Sequence, residues 1–131
     1  MEKMKEQLIG LECAKLAKEK GFGIETELVY HENKLWHITN LIQFYKGKYD
    51  FAPTQSLLQK WLREKKGIIV EVAWYHNGKV AKWISKTWEV ETAKYKAGDE
   101  KDTYEEALEE GLKEALKLIK IERLQTTKEQ A

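Results

Sequence analysis

The sequence predicts an α+β fold: one antiparallel sheet of four to five strands with three helices packed mainly on one face. Three observations carry that prediction. PTQSLLQKWLREKKG (Pro53–Gly67) reads as an amphipathic helix. IIVEVAWYH and KVAKWI flank Asn77-Gly78 and read as a hairpin with its turn written in the chain. TYEEALEEGLKEALKLIKIERL from Thr103 reads as a second amphipathic helix. The predicted order is α-β-β-(β)-α-β-β-α. The 131 residues suit one domain, assigned to 1–124, with a polar, frayed tail at 125–131.

The first helix is expected from about Lys5 to Lys20, with Leu8, Leu11 and Lys15 on one stripe and Ile9, Cys13 and Ala17 on the next. Gly21 stands where a left-handed residue ends a helix. Ile24, Thr26, Leu28 and Tyr30 then alternate with Glu25, Glu27, Val29 and His31, the period of a strand with one wet face. His31-Glu32-Asn33-Lys34 is a turn, Leu35–Ile38 a return strand and Leu41–Tyr45 a third strand. Lys46-Gly47-Lys48 is a further turn.

Pro53 sits at or just before the next helix, where its missing N–H costs nothing. Leu57 and Trp61, with Leu58 and Leu62, form its apolar face, and Gly67 ends it. Asn77-Gly78 predicts a two-residue type I′ turn. His76 then faces Lys79, Trp74 faces Ala81, Val72 faces Trp83 and Val70 faces Ser85. The face Val70, Val72, Trp74, Ala81 and Trp83 is expected in the core. Ile69, Glu71, Ala73, Tyr75, Val80, Lys82, Ile84 and Lys86 form the half-exposed face. Past Ser85 the parity turns Trp88 and Val90 outward, so a bulge or bend is expected there to bury them.

Ala97–Asp102 is a charged loop. In the last helix Thr103 and Glu106 have capping-box spacing. Tyr104, Leu108, Gly111, Leu112, Ala115 and Ile119 form its apolar stripe, with Ala107 and Leu116 beside it. Gly111 on that stripe predicts a close approach to the sheet. Leu11, Leu16, Gly21 and Glu25 recur at constant offset as Leu57, Leu62, Gly67 and Glu71, a faint echo between the two halves.

The chemistry is sparse. Lys and Arg total 23 against 22 Asp and Glu, a net charge of +1, which argues against a dedicated nucleic-acid binder. The lone Cys13 can form no intrachain disulfide, and mid-helix it reads as a packed or half-exposed residue. No apolar run has the length of a signal core or a membrane span, so a cytoplasmic, membrane-free setting is expected. His31, His37 and His76 show no metal-ligand spacing, and His31 and His76 are expected at solvated hairpin tips. No nucleophile motif or phosphate loop surrounds Ser56, Ser85 or Gly21-Phe22-Gly23. No catalytic residue, metal or cofactor is assigned, and only a deep polar pocket would revive an enzymatic reading.

One constellation is left. From Trp74 to Lys96 aromatics interleave with lysines, a composition that can stack bases and hold phosphates. The candidate binding face is Tyr75, Lys82 and Lys86. Glu71, Glu89 and Glu91 dilute its charge, and lysines on a wet face also serve solubility.

The blocks PTQSLLQKWLREKKGI (Pro53–Ile68) and TYEEALEEGLKEALKLI (Thr103–Ile119) resemble small uncharacterised proteins of phages and prophages of gut bacteria. The resemblance implies a mobile-element setting and transfers no activity. In topology alone, the order from Pro53 onward is similar to double-stranded RNA-binding domains. Those present a basic N-terminus of the last helix to phosphates. Here it reads Asp102-Thr103-Tyr104-Glu105-Glu106, which repels them. The expected role is a non-enzymatic accessory or protein-interaction domain, with self-association or an unknown protein as partner. A weak nucleic-acid-binding module is the alternative.

Overall fold

The computed structural model describes residues 6–40 and 48–119. Among the described residues the fold is α+β, with three α-helices and two three-stranded antiparallel sheets. The single sheet of four to five strands is thus replaced by two smaller ones. The expected strand at Leu41–Tyr45 and the tail at 125–131 lie outside the described residues.

Helix α1 runs Leu11–Glu19, shorter than expected. Residues ahead of it are extended because their backbone finds partners on the approach to the second helix. Leu8 bridges Thr54, the Ile9 N–H donates to the Pro53 carbonyl at 3.0 Å, and the Gln55 N–H donates to the Gln7 carbonyl at 2.8 Å. Gly10 is the N-cap, and since it has no side chain to cap with, its own N–H donates to a Glu109 carboxylate oxygen at 2.7 Å. Gly21 follows with φ 98°.

Strands β1 (Leu28–His31), β2 (Lys34–His37) and β3 (Asp50–Phe51) form the first sheet in the order β2-β1-β3. Glu32 and Asn33 (φ 50° and 65°) make the tight turn that sets His31 opposite Lys34. The strand is shorter than the alternation from Ile24 suggested. Its most buried residues are Val29 and His31, which continue the set that contains Glu25 and Glu27. Val29 and Ile38 pack with Tyr49 and Phe51 in a small core of their own. Tyr30 turns the other way, against the main core, and its hydroxyl donates to the Ile9 carbonyl at 2.8 Å.

Helix α2 (Gln55–Lys66) starts as its sequence dictates. Thr54 accepts the Leu57 N–H on its hydroxyl, and Gly67 (φ 64°) closes the other end in the left-handed region that favours glycine. Leu58, Trp61 and Leu62 are buried, with the Phe22 ring edge-on to Trp61 at 5.3 Å.

The second sheet is a meander of β4 (Ile68–His76), β5 (Ala81–Glu89) and β6 (Lys94–Ala97). The two-residue turn is corrected. His76 pairs with Ala81, so the loop is 77–80 and the register lies two residues from the expected one. The Asn77 side chain causes this: its Oδ1 accepts the N–H groups of both Lys79 and Val80 at 3.0 Å, capping a wider loop. A shift of two keeps every side chain on its face.

Helix α3 (Tyr104–Leu118) is capped by Thr103, whose hydroxyl accepts the Glu106 N–H at 3.1 Å and donates to the Glu106 carboxylate at 3.0 Å. It lies across β4 and β5, and α2 packs beside it on the same face. Residues 55–118 therefore do run α-β-β-β-α. Gly111 makes the close approach. A Cβ there would stand 2.7 Å from Val70 Cγ1 and 2.9 Å from Ser85 Cβ. Only small side chains fit beneath it, which is why Ser85 and Thr87 are buried. The expected bulge is absent: β5 pairs without interruption through Glu89, Trp88 stays on the outer face, and Val90 is exposed.

Trp74 is a second correction. It shares the inner face with Val70 and Val72 but is 56% exposed. The hairpin overhangs the helices there, and Trp83 meets the edge of the Tyr104 ring at 5.6 Å instead of a covered core.

Candidate functional site

Both helices of the second sheet lie on one face, leaving Ile69, Glu71, Ala73, Tyr75, Lys82, Ile84, Lys86, Trp88, Tyr95 and Ala97 on the other. None of the described helices packs on this outer face. Part of it is an aromatic cluster: the Trp88 and Tyr95 rings stack at 4.5 Å, and the Trp88 Nε1–H donates to Glu71 at 2.6 Å. Beside them a shallow depression of about 360 Å³ is lined by Ile69, Glu71, Trp88, Glu89, Val90 and Ala93. Tyr95 and Val90 are each 57% exposed.

Tyr75, Lys82 and Lys86 do share this face, as the parity requires. Tyr75 stands directly opposite Lys82, and Lys86 opposite Glu71. Their charges, however, are largely answered within the chain. Lys82 is paired with Asp102, and the Tyr75 hydroxyl donates to Glu100. The Lys82 ammonium holds the Asp102 carboxyl below its ordinary range, by hydrogen bond first and by charge second. The loop expected to be merely charged thus folds its acids over the edge of the face. With Glu71 against Lys86, the trio is a weak lure for phosphate.

Trp88 and Tyr95 belong to the aromatic and lysine run singled out in the sequence but not to its candidate face. A bulge or bend is expected to bury Trp88, and the residues at Lys94–Ala97 are given no strand bounds. An unbroken alternation through Trp88 was the available signal. Gly111, already expected to lie close to the sheet, also demanded small residues such as Ser85 and Thr87 opposite it.

A second concave region, an open groove of about 970 Å³, lies between the segment 7–10, Tyr30, the loop at Asp99–Lys101 and the flank of α3. Its lining mixes polar and apolar groups, and the polar ones hold these pieces together. The Gln55 amide donates to the Glu105 carbonyl at 2.9 Å and to Glu109 Oε1 at 3.1 Å, while Glu109 Oε2 accepts the Gly10 N–H. Glu110 accepts the Asp99 N–H at 2.8 Å and lies 2.8 Å from Lys101 Nζ. Burial pushes the Glu110 carboxyl up, yet the Lys101 hydrogen bond and the Asp99 N–H outweigh it and hold the group below the usual glutamate range. A carboxyl lowered in this way is a poor proton donor near neutrality.

One of the histidines sits differently from expectation. His31 is buried, not solvated; it ends β1 facing inward, with Nδ1 2.8 Å from the Lys48 carbonyl. His37 and His76 are exposed. Cys13 is fully buried, and burial, with Glu109 second, pushes its thiol far above the ordinary range. Among the described residues no helix is long and apolar enough to cross a membrane.

No protein-family model, curated protein or solved structure matches the chain.

Proposed function

We propose that this chain is a non-enzymatic accessory or interaction domain of a phage or prophage element, working in the cytoplasm through the open face of its second sheet. The observation that carries the reading is the stacked Trp88–Tyr95 pair beside Ile69, on a sheet face no described helix covers. Aromatic residues that are partly exposed and held rigidly are the kind of side chain that anchors protein interfaces. The mobile-element setting rests on the likeness of the α2 and α3 blocks to phage proteins. In the structure those two blocks lie together, joined by Gln55 to Glu105 and Glu109.

The test is site-specific photocrosslinking in the host cell. A photoreactive residue replacing Tyr95 should give discrete protein adducts, and one replacing Arg63 on the outer side of α2 should not. Equal adduct patterns at both positions would sink the open-face reading.

The second reading is a weak nucleic-acid-binding module that uses Tyr75, Lys82 and Lys86. The Trp88–Tyr95 stack favours it, since such a pair offers a platform for a base. The acids at Glu71, Glu100 and Asp102, and the exposed Glu105 and Glu106 at the start of α3, oppose it. Binding of a single-stranded oligonucleotide at low salt, lost on Lys82→Glu with Lys86→Glu, would establish it. Absence of binding at low salt would dismiss it.

A further inference from the structure

We infer that a second copy of this chain docks along β4, edge to edge, joining two three-stranded sheets into one of six strands. The inference goes beyond the reading above: it names one partner and places it on the edge of the second sheet, not on the open face.

The argument starts from the direction of the backbone. Trp83 exchanges two main-chain hydrogen bonds with Lys101, at 2.9 and 2.7 Å, and the Ser85 carbonyl accepts the Gly98 N–H. Both residues of β5 therefore point away from β4. Their cross-strand partners on β4, Trp74 and Val72, are non-hydrogen-bonded pairs, so their own N–H and C=O groups point off the edge of the sheet. Val70, two residues earlier in the same row, confirms the direction, for its carbonyl accepts the Gln59 side-chain amide at 2.6 Å from outside the sheet. Among the described residues nothing meets the main-chain groups of Val72 and Trp74.

This edge lacks the devices that keep strands apart. β4 is nine residues long, with one charge, no proline and no bulge. The other edges are blunted. β6 has four residues, two of them lysine, and β2 has four and opens with Lys34. Long, uncharged edges are the ones that recruit another strand.

Charge selects the occupant. With the Val70 carbonyl already engaged, the open pair of residues is Val72 and Trp74. A two-fold axis at Ala73 lets each copy's Val72 exchange hydrogen bonds with the other's Trp74. Ala73 then faces Ala73, and Glu71 faces Tyr75, so no like charges are opposed. Pairing β6 with itself would set lysine against lysine. The same axis lays each exposed Trp74 across the other copy's Val72, which covers a ring that this chain leaves open.

Ala73→Cys tests the register in the full chain. In the proposed pair the Ala73 Cα atoms are about 4.5 Å apart, the spacing of a non-hydrogen-bonded antiparallel pair, and that lies within disulfide range. Mild oxidation should give a covalent dimer on a non-reducing gel, and Tyr95→Cys should run there as a monomer. Sedimentation equilibrium of the parent chain should show a dimer. Trp74→Pro, which deletes one outward N–H and leaves the β4–β5 ladder in place, should weaken it at least tenfold, as should Trp74→Lys if the proline variant folds poorly. A parent chain that is monomeric at every concentration, or a dimer that neither Trp74 variant weakens, overturns the inference. The photoadducts at position 95 separate the two readings. A monomer that still gives them overturns the dimer alone, and a dimer without them overturns the open-face partner alone.

Discussion

Gly111 of α3 rides directly on Ser85 of β5, so close that a Cβ on the glycine would stand 2.9 Å from the serine Cβ. The serine Cβ is fixed to a strand, and Val70 Cγ1, 2.7 Å away, belongs to a stiff β-branched side chain. Neither can yield without moving the helix.

Gly111→Ala is therefore expected to destabilise the fold. Alanine gains about 1 kcal/mol in helix propensity, against an overpacking cost of about 1–3 kcal/mol. The net loss should be smaller than that of Leu112→Ala beside it, about 2–5 kcal/mol. Urea denaturation checks this. Adding Val70→Ala should recover part of the glycine variant's loss, since it removes the nearer clash. A Gly111→Ala protein as stable as its parent would mean that α3 does not press on Ser85 and Val70 at this point.

Gln55 and Glu109 hold the start of α2 to α3 and to the segment that enters α1. Gln55→Ala leaves part-buried acceptors unanswered and should cost about 1–3 kcal/mol. Glu109→Ala should cost at least as much, because the Gly10 N–H loses its acceptor too. The double variant should fall short of the sum of the two, as expected for residues in one network. Strict additivity would show that the two side chains do not act together.

The Glu110 carboxyl titrates below its ordinary value in the folded chain, so it binds its proton less readily there than when unfolded. Its contribution is thus fully present above the unfolded glutamate range, near pH 4.5, and is lost as pH falls through the lower folded value. Glu110→Gln should lower the urea midpoint at pH 7, and the gap to the parent should narrow as pH falls below 4.5. A gap that is constant with pH would place the effect in packing and not in charge.

Cys13 is closed off by burial, and its thiolate is disfavoured by desolvation and by Glu109. A thiol reagent at pH 8 should label it slowly in the native protein and at once in urea. Rapid native labelling would show that α1 opens readily from the core.

The helices were the most legible part of this chain. Thr54 and Gly67 bound α2, and Thr103 with Glu106 starts α3, because caps and apolar stripes are set by residues within a turn or two of one another. The outer face was legible as well. Tyr75, Lys82 and Lys86 share it whether the loop has two residues or four, because a shift of two preserves parity. The start of α1 was not legible. The pairing of Leu8 with Thr54, and the capture of the Gly10 N–H by Glu109, both join segments far apart in sequence.

What the sequence determined by itself, then, was where α2 begins and ends, where α3 begins, and which side chains share a face, since these follow from short-range caps and periodicity. The tertiary structure alone decided how far each face is covered. Alternation puts Trp74 on the inner side, but α3 begins at Tyr104 and does not reach over it. Alternation puts Ser85 on the inner side as well, and there Gly111 brings the helix down upon it and buries it. The division of the strands into two sheets and the open edge of β4 belong to the same class. They depend on which surfaces meet, and that is settled by contacts across the whole chain.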